Sequence, residues 1–192
     1  MKELVFLVEE LSAKAMLDAL LPRILQEGIE FRCIPFEGKQ DLEKQMVRKI
    51  RAYQNSQARF IIMRDLDSHP NCLVLKQRLR DLCDEAGKAE QCLIRLACTE
   101  LETFYLADLQ AVETALQIHG LSKLQNKQKF RTPDHLGSPS KELKTLTKQR
   151  YEKVAGSRAI GQHLDLNNGR SPSFYHLIQA IMRLQSELNA SE

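Results

Sequence analysis

Three acidic residues, Glu9, Asp65 and Asp67, each follow closely on a short apolar run. Residues 3–9 (ELVFLVE) end in Glu9. Residues 59–63 (RFIIM) give way abruptly to Arg64-Asp65-Leu66-Asp67-Ser68-His69-Pro70. Short apolar runs of this kind read as buried strands. A third such run, residues 91–98 (QCLIRLAC), is followed by Glu100 and Glu102. Parallel α/β sheets place their chemistry at the carboxyl ends of strands. Carboxylates gathered there repel one another and call for protons or a cation. Mg²⁺ or Mn²⁺ suits such hard oxygen ligands. Glu100 and Glu102 lie two apart, about 200° apart on a helix, so one of them faces such a site. Glu102 flanks the apolar stripe of Leu101 and Tyr105 and is the preferred member.

The surrounding elements support this placement. Strand signals at residues 3–9, 29–36, 59–63 and 91–98 alternate with helical spacing. Alternation of this kind argues for βαβ units and a parallel sheet covered on both faces. Ser12 is expected to cap the first helix, and Pro22 to kink or shorten it. Gly38 opens the second helix, and Gly87 suits the C-terminal cap of a third at residues 73–86. Thr99 is expected to cap a long helix running through Val112. Residues 120–140 read as a loop, in part disordered. A helix over 141–154, a turn at Gly156 and a last helix over about 173–188, capped by Ser173, complete the reading. The expected division is residues 1–118 as an α/β metal-binding domain and 119–192 as a basic loop with a helical extension packing on it.

Composition narrows the class. A chain of 192 residues suits one α/β domain. No apolar run is long enough to span a membrane. The N-terminus enters a strand without a signal-peptide pattern, so the expectation is a cytoplasmic protein with no membrane partner. The five cysteines, Cys33, Cys72, Cys83, Cys92 and Cys98, contain no Cys-x-x-Cys pair, and the five histidines show no metal spacing. Net charge is +3, but residues 121–158 hold ten Lys/Arg against Asp134, Glu142 and Glu152, a local +7 that leaves −4 for the rest. That asymmetry points to a polyanion such as nucleic acid. Lys39, Lys127, Lys129, Arg131 and Arg158 are the cations expected to meet phosphate.

A Glu after the first strand and Asp-x-Asp after the third resembles the layout of the Toprim domain, the metal-binding module of topoisomerases, bacterial primases and overcoming-lysogenization-defect (OLD) nucleases. Leu7-Val8-Glu9-Glu10-Leu11-Ser12, Phe36-Glu37-Gly38-Lys39, Arg64-Asp65-Leu66-Asp67 and the stretch from Glu100-Leu101-Glu102 to Ala107-Asp108 are more specific. With Gly156-Ser157-Arg158-Ala159-Ile160 and Ser171-Pro172-Ser173-Phe174, they resemble a bacterial Toprim-like family of unknown function, domain of unknown function 4276. The resemblance covers nearly the whole chain. It implies a three-layer Toprim-like (Rossmannoid) fold with a mainly parallel four-stranded sheet of order 2-1-3-4 and a helical C-terminal extension. It implies Glu9, Asp65 and Asp67 as metal ligands, Glu9 also as general acid/base, and Glu102 serving a second metal. The implied activity is divalent-metal-dependent cleavage of DNA or RNA, as effector of an anti-phage system beside an AAA- or ABC-type ATPase. One departure stands out: many Toprim domains read Val-Glu-Gly here, and this chain has Glu10 for the Gly. Two other readings fit parts of the pattern. One is a non-catalytic interaction module of an ATPase complex. The other is a receiver-like phosphoacceptor using Glu9-Glu10, Asp65 and Thr99, although that would need a fifth strand ending in lysine.

Overall fold

The computed structural model describes residues 1–190. Four strands form one sheet: β1 (Lys2–Val8), β2 (Ile29–Pro35), β3 (Ala58–Asp65) and β4 (Cys92–Ala97). Their order is β2-β1-β3-β4 and every pairing is parallel. This is the mixed α/β sheet anticipated from the alternating signals, with β1 and β3 side by side and Val8 opposite Met63.

Side chains alternate across a strand, so β1 and β3 feed two cores. On one face Leu4, Phe6, Val8, Ile61 and Met63 pack with residues of helix α1 (Leu11–Leu20) and of the C-terminal half of the chain, including Phe174 and Ile181. On the other face Val5, Leu7, Phe60 and Ile62 pack with α2 (Lys39–Arg51) and α3 (Cys72–Glu85). Burial on both faces removes the polar alternation that a one-sided strand would show. After β4 come α4 (Glu102–Leu106), α5 (Leu109–Leu116), α6 (Gln128–Arg131), α7 (Pro139–Leu146), α8 (Lys153–Gly161) and α9 (Pro172–Ala190). No helix among the described residues is long and apolar enough to cross a membrane. All five cysteines are free thiols.

Several local expectations are corrected. Glu10, not Ser12, occupies the N-cap position of α1, and its side chain makes no capping bond. Ser12 is instead drawn inside the fold. Pro22 does end the regular helix, which tightens into a 3₁₀ turn at Leu21–Arg23. Leu101, not Thr99, holds the N-cap position of α4, and Thr99 takes φ +64°. The long helix expected after it breaks in two because the Asp108 carboxylate accepts from Ala111 N at 3.0 Å and opens a new helix. Residues 120–140 are threaded with short helical turns. Gln125 orders them by accepting from Leu109 N and donating to the Leu106 and Phe130 carbonyls. The helix expected over 141–154 is also two helices, separated at Lys148 and Gln149, both with positive φ. Gly156 lies inside α8 rather than at a turn. Ser171, not Ser173, caps α9: its Oγ accepts from Phe174 N at 3.2 Å.

Candidate functional site

The acids meet where β1 and β3 end. Glu9 is held from both sides of β1, its N–H donating to the Met63 carbonyl and its carbonyl accepting from Gly38 N at 2.9 Å. Gly38 has φ +98°, a backbone that a side chain would strain, so glycine is required where the chain turns into α2. The Glu9 carboxylate then accepts from the backbone N–H of Asp65 at 3.1 Å. Strand adjacency therefore becomes a direct bond between the two acidic ends.

Asp67 reaches the site through an unusual turn. Its φ is +51°, and its N–H donates to the Thr99 carbonyl at 2.7 Å, while Thr99 itself has φ +64°. Positive φ is costly for a β-branched residue such as Thr. The strain locks the Asp-x-Asp turn against the exit of β4, in keeping with the tendency of strained backbone to cluster at working sites.

Glu102 and Glu100 part company. Glu102 is buried, and its carboxylate accepts from the Tyr151 hydroxyl at 2.9 Å. Glu100 points elsewhere and accepts from Ser140 N at 2.6 Å, serving the first turn of α7. Glu102 is thus the one of the two whose charge acts on Asp65.

The electrostatics are those of crowded negative charge. Burial and then the charges of Glu9 and Glu102 push the Asp65 carboxyl well above the usual carboxylate range. Burial also raises Glu9, against the lowering effect of the Asp65 N–H, and burial raises Glu102. Two lysines offset part of this charge. Lys39 Nζ donates to Asp67 at 2.8 Å, and this bond and charge raise its pKa. Lys153 Nζ pairs with Glu10 at 2.6 Å. Burial works against the Lys153 charge, but Glu10 outweighs it and the ammonium is held more firmly than usual.

Sequence reasoning did not assign Lys153, Tyr151 or Arg64 to the site. Arg64 is buried between Glu43 and Glu9 and carries the guanidinium that tethers the turn to α2. Tyr151 and Ser157 are hydrogen-bonded to each other at 3.2 Å beneath Glu102. Lys153 lies 143 residues from its partner Glu10, so no local pattern announces it. The remaining expected phosphate cations stand apart from the acids. Lys127 and Lys129 line a separate hollow of about 510 Å³, with Lys129 paired to Glu142. Arg131 donates to the Asn126 carbonyl. Arg158 is exposed on α8, five positions and about 140° round from Lys153.

Five carboxylates, Glu9, Glu10, Asp65, Asp67 and Glu102, lie near the ends of β1 and β3, and hard oxygen donors of this kind suit a divalent cation. No three His, Cys, Asp or Glu side chains among the described residues are already arranged as a metal cage. Asp67 is turned to Lys39, Glu10 to Lys153 and Glu9 to a backbone N–H. The carboxylate oxygens fit a hard cation in their chemistry.

A search of curated proteins returns no significant match. Among solved structures, the C-terminal region of the Burkholderia pseudomallei OLD protein superposes with a TM-score of 0.57 at 13% identity, covering 96% of this chain and 98% of that one. At that identity the likeness establishes a shared fold. The profile described as domain of unknown function (DUF4276) matches residues 8–182, and the chain belongs to that family.

Proposed function

We propose that this protein is a divalent-metal-dependent phosphodiesterase that cleaves nucleic acid. The observation that carries the reading is the convergence of Glu9, Asp65 and Asp67, with Glu10 and Glu102 beside them, between two lysines. Mg²⁺ or Mn²⁺ would be held by Glu9, Asp65 and Asp67, with Glu102 supporting Asp65. Bound there, the ion would activate water and neutralise charge on the transferring phosphate.

The chain's own groups supply the rest. Burial raises the proton affinity of Asp65 and Glu9, and Glu9 is the candidate general acid/base of the pair. Were Asp67 to hold the cation, Lys39 would be freed, and Lys153 stands beside the acids on Glu10. Each ammonium is then available to a phosphate oxygen. Tyr151 keeps Glu102 in place by its hydroxyl. The basic segment bearing Lys127, Lys129 and Arg131 would hold backbone phosphates away from the reacting centre. Regulation by an ATPase of AAA or ABC type in an anti-phage role belongs to the same proposal and rests on the family resemblance.

The two lysine–carboxylate pairs also support a second reading, a non-catalytic module whose acids are neutralised internally. One experiment separates them. Plasmid DNA and structured RNA are incubated with Mg²⁺ or Mn²⁺ and either wild type or Asp65→Asn, with Mn²⁺ binding measured in parallel. Cleavage that falls at least ~100-fold in Asp65→Asn is expected, a loss on the order of 3 kcal/mol in transition-state stabilisation. Cleavage undiminished in Asp65→Asn would remove this site. Neither cleavage nor Mn²⁺ binding in wild type would establish the non-catalytic module.

A further inference from the structure

A cavity of about 550 Å³ opens beside the acids and shares Glu10 and Lys153 with them. It lies between the β1–α1 turn, the end of β2 and the start of α8. Its walls are mainly apolar. Leu11 and Val154 are among the few large hydrophobic side chains left exposed, at 58% and 40%, and both line this one cavity from different elements. Phe36 and Pro35 line it as well. Ser12 contributes the third observation: its Oγ is buried without a hydrogen-bond partner, and the residue lines the same cavity. A buried unpaired hydroxyl costs free energy, and most such groups are satisfied. The remaining polar groups are two carboxylates, Glu10 and Glu37, and one ammonium, Lys153.

Resting on the nucleic-acid reading above, we infer that this cavity is a nucleobase subsite that takes an unstacked base next to the scissile phosphate and prefers one with N–H donors on its pairing edge. A flat ring fits between apolar side chains, which is how proteins seat splayed-out bases. The Glu37 side chain is exposed at the rim and can accept from a ring N–H and an adjacent amino group together, a pair that guanine presents, whereas uracil offers a single ring N–H between two carbonyls. The Ser12 hydroxyl gains a partner from a ring nitrogen or carbonyl. A phosphate is a poor occupant because Glu10 and Glu37 repel it. An aliphatic side chain is a poor one because it leaves the Ser12 hydroxyl and the Glu37 carboxylate unpaired. Lys153 spans the cavity and the acids, so its ammonium lies where base and phosphate of one nucleotide would meet.

The test is binding of GMP and UMP to the full chain in EDTA, which separates this cavity from any metal. GMP is expected to bind at least ~5-fold tighter than UMP, the lower end of what one good base-edge contact gives. Leu11→Arg and, independently, Val154→Asp alter exposed side chains. Each should weaken GMP about tenfold, within the range for losing one base-stacking wall. Glu37→Gln should erase the preference for GMP while leaving UMP unchanged. Equal binding of GMP and UMP, or undiminished GMP binding in both Leu11→Arg and Val154→Asp, would overturn the subsite even if cleavage is found. GMP selectivity with no cleavage by wild type would overturn the phosphodiesterase reading and leave the base site standing.

Discussion

At Asp65 burial, the Glu9 charge and the Glu102 charge all favour the protonated carboxyl. A group whose folded pKa is raised binds its proton more tightly in the native state, so its contribution is full at low pH and fades as pH rises through that pKa. Without divalent metal the protein should lose stability as pH climbs above about 4, because Asp65, Glu9 and Glu102 are all raised. Asp65→Asn removes the conflict. Its melting temperature in EDTA should exceed wild type near pH 7.5 by about 2–4 °C for each ~1 kcal/mol relieved, with the gap closing towards pH 4. Calorimetry across that range checks the sign, and a widening gap at low pH would contradict it. Tyr151→Phe acts oppositely. It leaves the buried Glu102 without its hydroxyl donor and should cost about 1–3 kcal/mol in a denaturant titration. It should also lower cleavage, because Glu102 no longer has a fixed position.

At the scale of elements, α8 decides whether Lys153 can reach the acids. It crosses α1 closely: a Cβ added at Gly161 would stand 2.7 Å from the Met16 carbonyl oxygen, which is backbone and cannot step aside. Arg23 reinforces the crossing by donating to the Gly161 and Leu164 carbonyls at 3.1 and 2.9 Å. Gly161→Ala should therefore force α8 off α1 at about 1–3 kcal/mol, the usual range for overpacking. Gly169→Ala, where a Cβ meets nothing within 4 Å, is the control and should melt with wild type. Cleavage by Gly161→Ala should fall further than its melting temperature explains, because Lys153 moves with its helix. The same crossing shows why the sequence misplaced the elements here. A glycine in the middle of α8 looks like a turn signal, yet Gly156 is glycine because a Cβ would lie 2.5 Å from the Tyr151 ring. Packing, not chain reversal, sets that residue.

For the whole molecule, the uneven charge is the feature on which the proposed nucleic-acid binding rests. The excess of ten cations over three acids in residues 121–158 is reduced by one acid from outside the segment, since Lys153 pairs with Glu10. Replacing Lys127, Lys129 and Arg131 together by Glu should weaken nucleic-acid binding more at low salt than at high salt. The slope of log affinity against log salt should shrink by about 0.7–0.9 for each phosphate that the protein no longer neutralises. An unchanged slope would place the nucleic-acid path elsewhere. The sequence by itself determined the strands, their alternation with helices and the acids at their ends. Those signals are local: apolar runs, a period of 3.6, glycine where φ is positive. Together with the family pattern they placed β1 beside β3, and hence Glu9 beside Asp65. What only the tertiary structure decided lies in pairs far apart in the chain. Glu102 rather than Glu100 turns inward because Tyr151 receives it and Ser140 claims the other. Asp67 meets Lys39, and Glu10 meets Lys153, because α2 and α8 bring their first residues to the strand ends. A side-chain contact across 143 residues leaves no periodicity to read, since its energy belongs to the packed state alone.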